Sequence, residues 1–236
     1  MAKRTPANSN ISVEQQAAQM KRSLTFFILI LMVMSLTVCN NPSKQLTDNG
    51  TYLTLVNPTH KLPDNWLDKI ELVTAQNSLG EEFQVEKETL SHFEDLRNEL
   101  LEEGIDIELD SAYRSAEEQQ EIWDAFSERY GDDVGKYAAE PGSSEHQTGL
   151  AVDVFLIDNG TIIRDNDDLY AAEDLFAKIH THLAEHGFVV RVLPGKDEIC
   201  GGWTYEPWHF RYVGKTAARE MYAKGLVLEE YLGELD

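Results

Sequence analysis

The chain has 236 residues, 42% of them hydrophobic, with 20 Lys and Arg against 42 Asp and Glu for a net charge of -22. That length and apolar content predict one globular domain with appendages. The acidic balance argues against nucleic acid, whose binding rests on basic patches, and against peripheral docking on an anionic lipid surface.

The N-terminus departs from this balance. Residues 1–22 carry Lys3, Arg4, Lys21 and Arg22 against the single Glu14, and are read as a cytoplasmic tail. Residues 23–39 contain no charge and centre on the run from Phe26 to Met34. Their length is near the lower limit of a membrane span. Three readings compete: an uncleaved signal anchor, a cleaved signal peptide, or a lipoprotein signal ending at Cys39. The long polar lead and the lack of a clean small-x-small site favour the anchor. Leu36-Thr37-Val38-Cys39 resembles a lipobox but carries Val38 where a small residue is usual. All three readings keep Lys21 and Arg22 inside and export the residues after about 40; the favoured anchor gives an extracytoplasmic domain on a single-pass tether. Residues 40–53 read as a polar linker and residues 54–236 as the catalytic domain. Beyond Cys39 the only cysteine is Cys200, so no disulfide can form within that domain. A lone Cys of this kind is most often a small packed hydrophobe.

Within the domain, Glu88 to Glu103 places Leu90, Phe93, Leu96, Leu100 and Leu101 at helical spacing before Gly104. Ile105, Ile107 and Leu109 alternate with acidic residues, which predicts a strand. Ser115 and Glu118 form a capping-box pattern ahead of Ile122, Trp123 and Phe126. Leu150 to Ile157 reads as a strand, Asp158-Asn159-Gly160 as a hairpin turn, and Thr161 to Arg164 as the returning strand. Tyr170 to His186 reads as one helix closed by Gly187. Phe188 to Val192 and His209 to Val213 read as strands, and Thr216 to Lys224 as a last helix. Hairpins mixed with helices predict an α+β fold, a small antiparallel sheet with flanking helices.

Two segments carry the chemistry. One is Ser144-Glu145-His146-Gln147-Thr148-Gly149-Leu150-Ala151-Val152-Asp153; the other is Glu206-Pro207-Trp208-His209. His146, Asp153 and His209 supply two imidazoles and a carboxylate, and Glu206 adds a carboxylate beside the last imidazole. A catalytic zinc site needs three such ligands, an open position, and a base for water. Strand alternation places Ala151, Asp153 and Phe155 on one face and Leu150, Val152, Val154 and Leu156 on the other. A buried Asp among apolar neighbours needs a partner, and a divalent cation is one. The competing reading pairs Asp153 with an Arg. An isolated Glu-x-x-His such as Glu206 and His209 is usually a surface pair, so the case rests on conjunction. Arg114 and Gln119 stand at the two positions that form a hydrophobic staple in an apolar version of such a helix start. Here they predict a polar donor platform facing the cleft, with Arg114 able to bind a carboxylate or steady an oxyanion. His180, His182 and His186 share one helix without the acidic residue of a His-Glu-x-x-His motif and are read as surface residues.

Tyr113-Arg114-Ser115 with Gln119, the Ser144-x-His146-x-x-Gly149-x-Ala151-x-Asp153 pattern, and Glu206-Pro207-Trp208-His209 occur in this order. Together they resemble the zinc D-alanyl-D-alanine carboxypeptidases of the VanY type, in the M15B peptidase family. The likeness covers about residues 54–232. It implies a fold of the hedgehog/DD-peptidase kind, one Zn2+ held by His146, Asp153 and His209, and Glu206 as catalytic base. It implies Arg114, Gln119 and Ser144 as groups facing the substrate, a peptidoglycan stem peptide that loses its terminal D-alanine. Relatives often carry Arg-Tyr-Pro where this chain reads Arg191-Val192-Leu193-Pro194, which predicts a missing aromatic wall. Removal of D-alanine from a pentapeptide end (DD) and cleavage at a tetrapeptide end (LD) therefore stay open, as does a non-catalytic module that binds wall peptide.

Overall fold

The computed structural model describes residues 50–233. The expected tail, membrane segment and nearly all of the linker lie outside these residues. Among the described residues no helix is long and apolar enough to cross a membrane.

A short 3-10 turn, Trp66–Lys69, leads into a hairpin of β1 (Leu72–Gln76) and β2 (Glu82–Glu86). Helix α1 (Lys87–Glu102) comes directly after it, its start capped by the Glu86 carboxylate, which accepts from the Thr89 amide. Next come β3 (Asp106–Ser111), α2 (Ala116–Tyr130) and a 3-10 turn over Gly131–Lys136. The turn Glu145–Thr148 delivers the chain to β4 (Ala151–Asp158), which pairs with β5 (Thr161–Ile163). The chain ends with α3 (Asn166–Ala171), α4 (Glu173–Leu183), β6 (Phe188–Val190), β7 (His209–Tyr212), α5 (Lys215–Lys224) and α6 (Leu228–Leu232).

The main sheet runs β3-β4-β7-β6, with β5 also on β4, and every pairing is antiparallel. Its two faces differ in chemistry because alternate residues point to opposite sides. Ile107, Leu109, Val152, Val154, Leu156, Phe188, Val190, Phe210 and Tyr212 form the apolar face. Phe93, Leu96 and Leu100 of α1 and Phe176, Ile179 and Leu183 of α4 cover it. Burying each of these large side chains contributes roughly 1.5–3 kcal/mol. The opposite face carries Asp153, His209 and Arg211. A smaller cluster packs α5 and α6 beside the sheet through Val189, Val213, Ala218, Met221 and Leu228.

Two expectations need correction. The single helix over Tyr170–His186 is two helices and a 3-10 turn. Asp165 caps α3 through the Asp167 amide, and the backbone leaves the helical range at Ala172. The β1–β2 hairpin was not foreseen. Its strands are short and only Val85 and Glu86 in them are buried, and its turn is set by Asn77, whose Oδ1 accepts from the Leu79 and Glu81 amides.

Candidate metal centre

Register builds the centre. Asp153 of β4 stands directly opposite His209 of β7 and, on its other side, opposite Ser111 of β3. Directly opposed residues on antiparallel strands project from the same face. A register shift between Leu109 and Ser111 inserts one residue into β3. Such bulges re-aim side chains, and this one brings Ser111 into the row.

His146 arrives from the turn before β4. That turn is pinned by the Trp66 indole, which donates to the Thr148 carbonyl at 2.9 Å. Gln147 accepts from the Gly142 amide at 2.6 Å. Gly149 closes the turn at φ 71°, a left-handed conformation that favours glycine, and a Cβ there would also press on the Leu72 side chain at 2.9 Å.

The three side chains converge. The His209 Nδ1 lies 2.7 Å from Asp153 Oδ1, and the His146 Nε2 lies 3.1 Å from Asp153 Oδ2. One ligand atom from each residue falls within 4.8 Å of the others. His146 Nδ1 lies 2.7 Å from the Ala112 carbonyl. A carbonyl only accepts, so Nδ1 carries the proton and Nε2 keeps its lone pair.

The electrostatics call for positive charge here. Burial opposes an ionised Asp153, but His146 and His209 outweigh it and hold the carboxyl well below the usual range. Burial likewise opposes a charged His209, yet Asp153 and Glu145 raise it to about 10. Burial keeps His146 lowered and neutral, the form that ligates. Among the described residues Asp153 pairs with the two imidazoles and with no arginine, which was the competing reading of the sequence.

Glu206 sits half-buried at the edge of this cluster, in a turn closed by the His209 amide donating to the Glu206 carbonyl at 3.2 Å. Trp208 packs in the core on Tyr170, and His180 Nε2 donates to the Pro207 carbonyl at 2.8 Å. His180 is therefore a support of the Glu206–His209 segment, kept neutral by burial, and not a surface residue. His182 and His186 also differ from expectation: both pair with Glu99 of α1, and His186 is buried. Burial, reinforced by Asp153, raises Glu206 to about 7, while His209 and Arg114 pull it down. A carboxyl poised there can hold or release a proton near neutrality.

Arg114 is fixed at both ends. Its amide donates to the His146 carbonyl at 3.1 Å, and its guanidinium donates to Ser111 Oγ at 3.1 Å and Gln119 Oε1 at 2.8 Å. The predicted capping box of Ser115 and Glu118 is present and sets the start of α2. Gln119 lines the cleft together with Arg114. It is buried, accepts from Arg114, and gives one N–H to the Ala139 carbonyl at 2.7 Å. These bonds orient Arg114. Ser144 lines the cleft beside His146, with no capping bond from its side chain.

The cleft encloses about 350 Å³. Its aromatic lining comes from Phe126, Tyr137, Trp203 and Trp208, so Val192 does not leave it bare. Cys200 is buried against Arg191, outside the ligand cluster, and burial pushes its thiol up to about 12.

Sequence reasoning passed over Glu145, Arg191 and Arg211. Glu145 Oε1 accepts from Arg191 Nε at 2.7 Å and Arg211 Nη1 at 2.6 Å. Burial would raise the Glu145 carboxyl, but these cations overcome it and hold it well below the usual range. Arg191 also forks onto both oxygens of Glu229 at 2.6 and 2.9 Å. Asn57 Nδ2 donates to the same Glu229 at 3.0 Å. Arg211 donates to the Tyr52 and Thr54 carbonyls at 3.1 and 2.8 Å.

A family model described as VanY, D-alanyl-D-alanine carboxypeptidase, matches residues 82–215. The chain is 32% identical over 230 residues to the putative carboxypeptidase YodJ of Bacillus subtilis, covering 95% of this chain and 77% of the relative. A crystal structure of a mutant of the vancomycin resistance D,D-pentapeptidase VanY, from a VanB-type resistance cassette and in complex with Zn(II), superposes with TM-score 0.63 at 31% identity. It covers 77% of this chain and 99% of that one. The LD-carboxypeptidase LdcB, solved to show peptidoglycan recognition, gives TM-score 0.67 at 32% identity over 77% of this chain and 86% of that one. The chain belongs to the VanY family of carboxypeptidases.

Proposed function

We propose that the chain is a zinc carboxypeptidase that removes the terminal D-alanine from peptidoglycan stem peptides. The observation that carries this reading is the convergence of His146, Asp153 and His209 with Glu206 beside them. The donor set fits zinc: two imidazoles and one carboxylate, His146 buried and the other two half-buried, with one imidazole tautomer already fixed by a carbonyl. Zinc held there supplies Lewis acidity, acidifying water and polarising the scissile carbonyl.

The chain's own groups do the rest. Glu206 in its ionised form takes a proton from the attacking water and returns it to the leaving amine, so that the amide C–N bond is exchanged for a carboxylate and a free amino acid. Arg114, anchored by Ser111 and Gln119, presents its charge to the cleft. It binds the terminal carboxylate of the peptide or steadies the oxygen that becomes negative. Ser144 adds a hydroxyl beside His146. The aromatic lining excludes water from the reacting bond.

The likeness to LdcB favours a second reading, cleavage at a tetrapeptide end. The full-length chain, incubated with tetrapeptide and pentapeptide stems, separates the two by the mass of the products. Loss of one D-alanine from the pentapeptide alone supports DD specificity. Tight binding of both stems without turnover would sink the hydrolase. The apolar run at 23–39 behind Lys21 and Arg22 supports an extracytoplasmic domain tethered to the membrane beside its polymer.

A further inference from the structure

His209 turns Nδ1 toward Asp153 and Nε2 toward the protein interior. For Nδ1 to offer a lone pair, Nε2 must carry the ring proton, and that buried N–H needs an acceptor. The atom facing it is Glu145 Oε2, at 3.5 Å. This oxygen is buried and has no well-aligned hydrogen-bond partner among the described residues. Its sister Oε1 takes both guanidinium groups, Arg191 at 2.7 Å and Arg211 at 2.6 Å. The two cations thus fix the carboxylate while leaving one oxygen for the imidazole.

From this geometry we infer that Glu145 is a positioning residue, which sets the tautomer and the ring orientation of His209 for zinc. The inference rests on the reading of His146, Asp153 and His209 as the zinc ligands. The two imidazoles are then anchored differently. His146 gives its spare proton to a neutral carbonyl, that of Ala112, whereas His209 faces a carboxylate. A charged acceptor makes the imidazole the stronger donor to a cation. Glu145 is itself aimed by residues distant in the chain. Arg191 is braced by Glu229 on α6, and Arg211 by the carbonyls of Tyr52 and Thr54. Glu229 makes no contact with either imidazole, so it separates support of the network from support of the ligand.

The test measures the zinc dissociation constant of the full-length chain by chelator competition, alongside the melting temperature of the zinc-free protein. Glu145→Gln is expected to weaken zinc binding about 10–100-fold and to shift the visible spectrum of the cobalt-substituted protein. Glu229→Gln is expected to lower the melting temperature while leaving zinc affinity within about 3-fold, since Arg211 still holds Glu145 Oε1 and neither imidazole loses a partner. Should Glu145→Gln fail to fold, Glu145→Asp keeps the charge for both arginines but withdraws the carboxylate, and the same loss of affinity is expected. Wild-type affinity in a folded Glu145 variant overturns the inference. So does an equal loss in Glu229→Gln, which would trace the effect to general stability. A wild-type chain that binds no zinc would overturn the proposed function itself, and this inference with it.

Discussion

On the floor of the cleft, Asp153 and His209 stand on paired strands, and His146 on a turn tied down by Trp66 and Gln147. On the rim, Lys136 ends the 3-10 turn after α2 and Tyr137 follows it, exposed and stacked on Tyr130 at 4.0 Å. The floor is held by buried charge pairs, the rim by solvated aromatic contacts. Groups that must meet a cation within tenths of an ångström are thus placed by register and by satisfied buried bonds. Groups that sort one peptide end from another sit where side chains can adjust.

This contrast can be broken at the floor first. Glu206→Gln keeps the shape but cannot take a proton, so kcat should fall about 10³–10⁴-fold with zinc content unchanged by metal analysis. A fall of less than tenfold would remove Glu206 from the base role. Arg191→Met strips one cation from the buried network and leaves Glu229 and Glu145 partly unpaired. Breaking a buried pair in this way costs about 3–5 kcal/mol, to be read from denaturant unfolding of the zinc-free chain. Arg114→Lys retains charge but loses the fork held between Ser111 and Gln119, and kcat/KM should drop about 100-fold.

Acid should act through Glu206. Its pKa is raised by burial to about 7, so the ionised base is gained as pH rises through that value and lost below it. The kcat/KM profile should therefore show an acid limb with its midpoint at about 7 or, with a cation bound beside it, lower. A limb centred above 8 would contradict this assignment. At the rim the effects shrink. Tyr137→Ala should change kcat/KM only several-fold, and unequally for tetrapeptide and pentapeptide stems, which would sharpen the distinction between the two sides.

The residues that read clearly in the sequence are those whose neighbours are local. The capping box of Ser115 and Glu118 spans three positions, and the alternation from Leu150 to Leu156 gave the correct face to Asp153. Gly187 marked the end of its helical region correctly, at φ 85°. What did not read is set by distant partners. Glu145 appears in sequence as a filler between Ser144 and His146, because its arginines lie 46 and 66 residues away. Gln119 lines the cleft, but its bonds to Arg114 and to the Ala139 carbonyl, twenty residues on, are ones that no periodicity reveals. His180 failed to stand out because its partner is a backbone carbonyl at Pro207, and carbonyls carry no signature of side-chain type.

The opposition of Asp153 to His209 across β4 and β7 has a consequence for the newly made chain. A slip of one residue between these strands would send one of the two side chains to the apolar face, part it from the other, and bring Val152 or Phe210 out in its place. Misaligned sheets would therefore be born catalytically silent. Capture of the ion would reward only the alignment that also completes the core, so metal supply would act as a proofreading step in the maturation of the folded domain.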